Sequence, residues 1–160
     1  MSAEPKELYS LLIPLQNERL LVPRMCVAEV IAFADTEKRA DKDAPEWLLG
    51  SVEWNGRRVP VISLDGPDHG DGAPTGRRGS RSRIVIFHAI GDALQAGYYG
   101  VLTQGFPQLV RVNRDVLTRD LETPPPRDQP ILCRVRMVHE FPLVPDLDAI
   151  EQRLADLVAA

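Results

Sequence analysis

The sequence has little of the side-chain chemistry on which metal centres and many enzymes depend. Its 160 residues include only two cysteines and three histidines. No second cysteine or histidine lies at ligand spacing from Cys26 or Cys133, so we interpret both as buried thiols among apolar neighbours. His69 lies in a polar, glycine-containing stretch where a metal could bind loosely, but a zinc site needs three or four rigidly held ligands. We therefore interpret this stretch as a solvated turn and expect neither a metal nor a cofactor.

Catalytic signatures are also missing. The sequence contains no G-x-S-x-G elbow of the kind that presents a nucleophilic serine. Its glycine-rich stretch lacks the lysine and the serine or threonine of a phosphate-binding loop, so these glycines indicate flexibility. Because an enzyme needs polar groups that converge on a pocket, the sequence predicts a protein that is not an enzyme.

Long hydrophobic runs are absent from the sequence. No run approaches 18 apolar residues, and the polar start of the chain lacks the basic and apolar regions of a signal peptide. We therefore expect a cytoplasmic protein without direct membrane insertion.

Acidic residues slightly outnumber basic ones, 23 to 19, but several of the basic residues cluster at one place. The net charge of −4 argues against a dedicated nucleic-acid-binding protein. The basic run Arg77–Arg83 keeps one alternative open, a small β-barrel that binds nucleic acid through this run. Phe87 is the only aromatic residue near it, so we favour a solvated loop that could meet an acidic partner surface.

What the sequence does contain is a series of short apolar stretches separated by turn residues. Asn55-Gly56 is a strong signal for a two-residue β-hairpin turn, because both residues tolerate positive φ. This punctuation, without long helical segments between the strands, predicts an all-β barrel or sandwich. The ten strand candidates cover residues 8–15, 19–22, 27–33, 52–54, 59–64, 83–89, 96–103, 109–112, 131–138 and 141–144.

The candidate strand 131–138 shows the clearest alternation. Ile131, Cys133, Val135 and Met137 fall on one face, and the arginines between them fall on the opposite face, as in a half-buried strand. Between the strand candidates, residues 65–82 are predicted to form a mobile loop, and the proline-rich residues 121–130 an extended segment.

One segment, residues 146–159, has the periodicity of an amphipathic helix. Its apolar residues recur at helical spacing, and Asp148 with Glu151 resembles a capping box. The helix can pack against the β-structure of its own chain or dock on a partner; we favour the first. The apolar positions are Leu147, Ile150, Leu154, Leu157 and Val158.

The segment from Pro45 to Leu64, PEWLLGSVEWNGRRVPVISL, resembles the central signature of the CheW-like family. That signature has a proline, an apolar pair with a glycine, a strand, a glycine turn and a V-P-V-I-x-L strand. Upstream, LLVPRMCVAEVI resembles the family's first hairpin and the short element that follows it. Order and spacing extend the resemblance over nearly the whole chain.

The resemblance implies one domain over residues 1–160, built from two small SH3-like five-stranded β-barrels that pack together, with the C-terminal helix added. The first lobe would cover about 19–64, and the second would combine about 8–15 with 83–144. Family members are non-catalytic adaptors that couple chemoreceptor tips to the regulatory domain of a CheA-type histidine kinase in chemosensory signalling.

The resemblance also directs attention to particular residues. We expect Val27, Glu29 and Asn55 to lie at the receptor-binding groove. Trp54 joins them because it is next to the hairpin turn and tryptophan is common at binding hot spots. Trp47, beside two leucines, is more readily a core residue.

For the kinase-binding face of the second lobe, the candidates are Val101, Leu102 and Leu109. The chain also departs from the family pattern at three places, one of which is Ser63, where the V-P-V-I-x-L strand usually has an aspartate. Asn55 stands where many relatives carry an arginine implicated in receptor contacts, and Gln104 stands where an acidic residue is usual. These departures favour an accessory system, such as one attached to type IV pili.

Overall fold

The computed structural model describes residues 7–33, 45–65, 81–125 and 129–159, and these residues form eleven strands and one α-helix. A short 3₁₀ turn covers Arg24–Cys26. The elements are β1 (Leu8–Pro14), β2 (Arg19–Pro23), β3 (Val27–Ala32), β4 (Leu48–Trp54), β5 (Arg57–Ile62), β6 (Arg83–His88), β7 (Tyr98–Thr103), β8 (Gln108–Val112), β9 (Thr118–Arg119), β10 (Ile131–Arg136), β11 (Leu143–Pro145) and α1 (Leu147–Ala159).

All ten strand candidates are present as strands, and the all-β fold with a C-terminal helix is confirmed. The two-residue β9 was not predicted because two polar residues carry no periodic signal. Most of the predicted mobile loop, 66–80, and residues 126–128 of the proline-rich segment lie outside the described residues. The same holds for His69 and for Arg77 and Arg78 of the basic run.

The strands form two sheets that correspond to two SH3-like lobes. The six-stranded sheet has the order β8-β1-β2-β11-β10-β9, and the five-stranded sheet has the order β3-β6-β7-β5-β4. Most neighbours are antiparallel, whereas β2 and β11 are parallel at Leu20 and Leu143, and β5 and β7 are parallel at Val61 and Gly100.

The division of strands between the sheets differs from the predicted lobe boundaries. β2 was expected in the first lobe but pairs with β1 in the six-stranded sheet. β6 and β7 were expected in the second lobe but lie between β3 and β5 in the five-stranded sheet. Local periodicity identifies strands but not their partners, and here the decisive pairings join segments that are distant in the chain.

The apolar residues form three clusters. One fills the five-stranded lobe, a second fills the six-stranded lobe, and a third, which we call the interlobe core, joins both sheets to α1. β6 contributes to two of them: Ile84 and Ile86 face the interior of the five-stranded lobe, and Val85 and Phe87 face the interlobe core. Burial on both faces explains why β6 is apolar at four successive positions.

The helix α1 packs on its own chain, because Ile150 and Leu154 are buried in the interlobe core. Its N-cap is Asp146, whose Oδ1 accepts a hydrogen bond from the backbone N–H of Ala149 at 3.0 Å. The predicted capping box of Asp148 and Glu151 is therefore wrong. Asp148 is exposed in the first turn, and the Glu151 carboxylate accepts bonds from a different part of the chain.

The alternation in β10 is only partly retained. Val135, Cys133 and Met137 contact the interior of the six-stranded lobe, but an irregularity between Ile131 and Cys133 moves Ile131 to the interlobe core. Arg134, expected on the opposite and solvated face, is buried.

Candidate functional site

The hairpin between β4 and β5 presents the first candidate surface. Asn55 and Gly56 adopt φ of 48° and 73°, which confirms the predicted two-residue turn, and both are exposed. Trp54, just before the turn, donates an indole N–H hydrogen bond to a carboxylate oxygen of Glu29 on β3. β3 and β4 are at opposite ends of the strand order, so this bond joins the two edges of the five-stranded sheet.

Tyr98 and Arg57 extend this surface. The rings of Tyr98 and Trp54 meet edge to face, with centroids 4.8 Å apart. The Arg57 guanidinium carbon lies 5.4 Å from the centre of the Tyr98 ring, and Arg57 donates a hydrogen bond of 2.9 Å to the carbonyl of Ala96. We call Glu29, Trp54, Asn55, Arg57 and Tyr98 the hairpin surface.

The structure brings three of the four predicted receptor-binding residues together. Glu29, Trp54 and Asn55 are adjacent, whereas Val27 is half-buried, pairs with Phe87 and packs against the interlobe core. Sequence reasoning missed Arg57 and Tyr98. The arginine directly after the turn was a usable signal, but the contact with Tyr98 depends on β7 lying beside β5.

The kinase-binding candidates do not form one surface. Val101 and Leu102 are both 0% exposed, Val101 in the interlobe core and Leu102 in the five-stranded lobe. The prediction that these two side chains contact a partner is therefore wrong, because β7 is a central strand buried on both faces. Leu109 on β8 is 52% exposed and stays a candidate.

The neighbours of Leu109 make up a second candidate surface. Leu109 lies opposite Leu11, and Arg111 lies opposite Tyr9 on the same face of the β1–β8 pair. Tyr9 is 48% exposed, and the Arg111 guanidinium carbon lies 5.8 Å from the centre of its ring. We call Tyr9, Leu109 and Arg111 the β8 surface.

A groove of about 670 Å³ lies between α1 and the hairpin of β4 and β5. Its apolar lining includes Pro60, Leu94 and Leu154, and Tyr98 connects it with the hairpin surface. No set of catalytic groups converges in it among the described residues.

The described cysteines and histidines, Cys26, Cys133, His88 and His139, show no sign of metal chemistry. Cys26 and Cys133 are free and half-buried, and burial raises the pKa of the Cys26 thiol. His88 and His139 are exposed. Within the ranges that the structure describes, no group of three or more histidines, cysteines or carboxylates could hold a metal ion.

The only α-helix in the described part of the chain, α1, is too short and too polar to cross a membrane. Its apolar side faces the interlobe core.

Comparisons with known proteins give one family and one fold. No curated protein matches the sequence. The chain is similar to the crystal structure of the scaffolding protein TtCheW from Thermoanaerobacter tengcongensis, with a TM-score of 0.63 and 15% sequence identity over 91% of this chain and 88% of that chain. At this identity the likeness shows the fold. The model of the CheW-like domain matches residues 10–152. The chain therefore belongs to the family of proteins with a CheW-like domain.

Proposed function

We propose that the protein is a non-catalytic, cytoplasmic adaptor that couples chemoreceptors to a CheA-type histidine kinase in chemosensory signalling. The match of the CheW-like domain over residues 10–152 carries this proposal. An adaptor acts by bringing its partners together, which raises their effective concentration without any chemistry on its own part. It requires separate binding surfaces, and the chain offers two, one on each sheet.

The hairpin surface is the proposed receptor-binding site. It combines Trp54, Tyr98 and Arg57, and tryptophan, tyrosine and arginine are the residue types most enriched at binding hot spots. Their mutual contacts hold them in place, so less conformational entropy is lost when a partner binds.

The β8 surface is the proposed kinase-binding site. Leu109 and Tyr9 expose apolar area, and the positively charged Arg111 lies beside them. An apolar centre with a charged rim is the usual arrangement of a protein-binding patch.

Binding of the full chain to the cognate kinase regulatory domain and to a receptor-tip fragment, measured separately by titration calorimetry, tests the proposal. We expect Leu109→Ser to weaken kinase binding and Glu29→Ala to weaken receptor binding. Leu132→Ser and Glu46→Ala are the matched controls, because both residues are exposed and lie outside the two surfaces. Absence of binding to both partners would overturn the adaptor function.

We also propose that the partners belong to an accessory system such as one linked to type IV pili. The support is the departure from the family pattern at Asn55 and Gln104. Binding to the kinase and receptor of a flagellar system at equal or higher affinity would contradict this assignment.

Nucleic-acid binding is a second candidate function, and one structural observation supports it. Phe106 is 64% exposed, and the Arg83 guanidinium carbon lies 4.5 Å from its ring centre, so an aromatic residue lies beside the basic run. Salt-dependent binding to single strands that disappears on Arg81→Ala with Arg83→Ala would support this function. Unchanged binding in that variant would exclude this site.

A further inference from the structure

Glu151 is a buried carboxylate on α1 that bonds to a loop of the five-stranded lobe. Its side chain is 2% exposed, and its two oxygens accept hydrogen bonds from the backbone N–H groups of Ile90 and Gly91, both at 2.9 Å. These residues are about 60 positions away in the chain. A carboxylate with both oxygens bonded to neighbouring amides holds a backbone segment in one orientation.

The segment that it holds is the loop from Ala89 to Gly97, between β6 and β7. The loop closes on itself through hydrogen bonds from Ala89 N–H to the Gly97 carbonyl at 2.9 Å and from Gly97 N–H to the Leu94 carbonyl at 3.1 Å. These two bonds join the ends of the loop, so Ile90 and Gly91 near its start and Ala96 near its end belong to one hydrogen-bonded unit.

At its far end the loop supports the hairpin surface. The carbonyl of Ala96 accepts the hydrogen bond from Arg57, and the Arg57 guanidinium lies over Tyr98. Tyr98 in turn packs against Trp54, which donates to Glu29. A continuous series of contacts thus runs from α1 to the carboxylate of Glu29.

We propose that Glu151 is a positioning residue for partner binding: through the Ala89–Gly97 loop, it fixes Arg57 and Tyr98 in the hairpin surface. The statement about partner binding rests on the proposed adaptor function, whereas the coupling between Glu151 and the hairpin surface is a property of the free protein. The helix α1 then has two roles, since it also covers the interlobe core.

The conservative variant Glu151→Gln separates these roles. Glutamine has nearly the same volume but a single acceptor oxygen, so one of the two loop N–H groups loses its partner. We expect faster amide hydrogen exchange at Ile90 and Gly91 and a shift of the Trp54 indole N–H resonance. Asp148→Asn is the control, because it removes the same charge from an exposed position of the same helix.

The two tryptophans distinguish positioning from general loosening of the helix. Trp47 packs against the interlobe core, as α1 does, whereas Trp54 belongs to the hairpin surface. Movement of the Trp54 resonance with an unchanged Trp47 resonance supports the proposal. A lower melting temperature with a shift of Trp47 alone would overturn it, because Glu151 would then be merely structural.

The binding measurement completes the test. We expect Glu151→Gln to weaken binding of the receptor-tip fragment at least about fivefold, the lower range of coupling between distant sites, and to leave kinase binding unchanged. If wild type binds the fragment and the variant binds it equally well, the proposal fails. If wild type does not bind it, the receptor-coupling part of the proposed function fails, and the resonance measurement still decides whether Glu151 positions the hairpin surface.

Discussion

Arg134 and Glu18 form the most buried ion pair in the described part of the chain. Both terminal nitrogens of Arg134 bond to the two carboxylate oxygens of Glu18, at 3.0 and 2.9 Å, and one also bonds to the carbonyl of Phe141. The hydrogen bonds that Arg134 donates to Glu18 are the chief cause of the raised pKa of its guanidinium. The pair ties the turn between β1 and β2 to β10.

We predict that Glu18→Ala lowers the free energy of unfolding by about 3 kcal/mol, because it leaves the buried Arg134 charge without its counter-ion. Glu140→Ala is the comparison, since its partner Arg19 is exposed and such surface pairs contribute about 1 kcal/mol or less. Urea titrations of both variants measure the difference. Equal destabilisation would show that the burial of the Arg134–Glu18 pair does not increase its contribution to the free energy of unfolding.

Asp65 gives a prediction about pH. Burial raises the pKa of its carboxyl group, which the hydrogen bond from the Gln16 N–H only partly offsets. With a higher pKa in the folded state, stability is greatest below the unfolded pKa of about 3.9 and is lost as pH rises through the folded pKa.

We therefore expect Asp65→Asn to be at least as stable as wild type at pH 7, with its relative advantage shrinking in acid. Chemical unfolding over a pH series of both proteins measures this difference. A variant advantage that grows as the pH falls would contradict the predicted direction.

At the scale of elements, α1 shows where sequence reasoning worked and where it failed. The helical period predicted the start of the helix within one residue. Five apolar side chains at that spacing lie on one face only if the backbone is helical. The cap was assigned to the wrong aspartate, since both Asp146 and Asp148 precede an apolar run. Only the backbone path shows which of them stands before the first turn.

Removal of the true cap should therefore have a specific effect. We predict that Asp146→Ala lowers the free energy of unfolding by about 1 kcal/mol, the usual loss for an N-cap. Asp148→Ala should cost less, because Asp148 interacts only with the positive end of the helix. Thermal unfolding measures the loss of stability in both variants. A larger loss of stability in Asp148→Ala would show that Asp148 is the N-cap.

The strand β7 shows a constraint that its sequence did not reveal. A Cβ atom at Gly100 would lie 2.7 Å from Cγ2 of Ile84 and 3.3 Å from Cγ2 of Val61. Both neighbours are β-branched and fully buried, so they cannot move aside easily. The glycine thus allows β6 and β5 to pack on either side of β7.

We expect Gly100→Ala to lower the free energy of unfolding by about 1–3 kcal/mol, as overpacking of a dense core does. Ile84→Leu in the same chain removes the Cγ2 methyl group that a Cβ atom at Gly100 would meet, and it tests whether crowding is the cause. Denaturant titrations of the single and double variants should show the second change partly restoring stability. Strict additivity of the two losses would argue against a steric clash.

At the scale of the whole molecule, the residues that resemble the family signature predicted more of the fold than of the site. The strands and the hairpin turn followed from apolar patterns and glycine positions, and the two-lobed architecture followed from the resemblance to the CheW-like family. The partners of β2, β6 and β7 did not, because pairing depends on long-range contacts. For the same reason Val101 and Leu102 could not be recognised as core, and Tyr98 could not be placed beside Trp54.

The shared interlobe core makes a prediction for unfolding. Phe87 is 1% exposed and stacks on Tyr99, with ring centroids 5.4 Å apart, between the two sheets and α1. We predict that Phe87→Ala destabilises by about 3–5 kcal/mol and that both lobes still unfold in one transition. The indole N–H resonance of Trp54 and the amide resonances of β1 report the two lobes separately. Two distinct midpoints in wild type would show that the lobes are independent.

The parallel contact between β2 and β11 has a consequence for biosynthesis. Leu20 on β2 and Leu143 on β11 are neighbours in one sheet. During synthesis, β2 therefore leaves the ribosome more than a hundred residues before β11, and it cannot form this pairing until then. Until then, the apolar face of β2 has neither this neighbour nor the α1 side of the interlobe core. The nascent protein therefore exposes that face through most of its synthesis. We expect a chaperone to bind the face during this interval and to leave once β11 and α1 have been made.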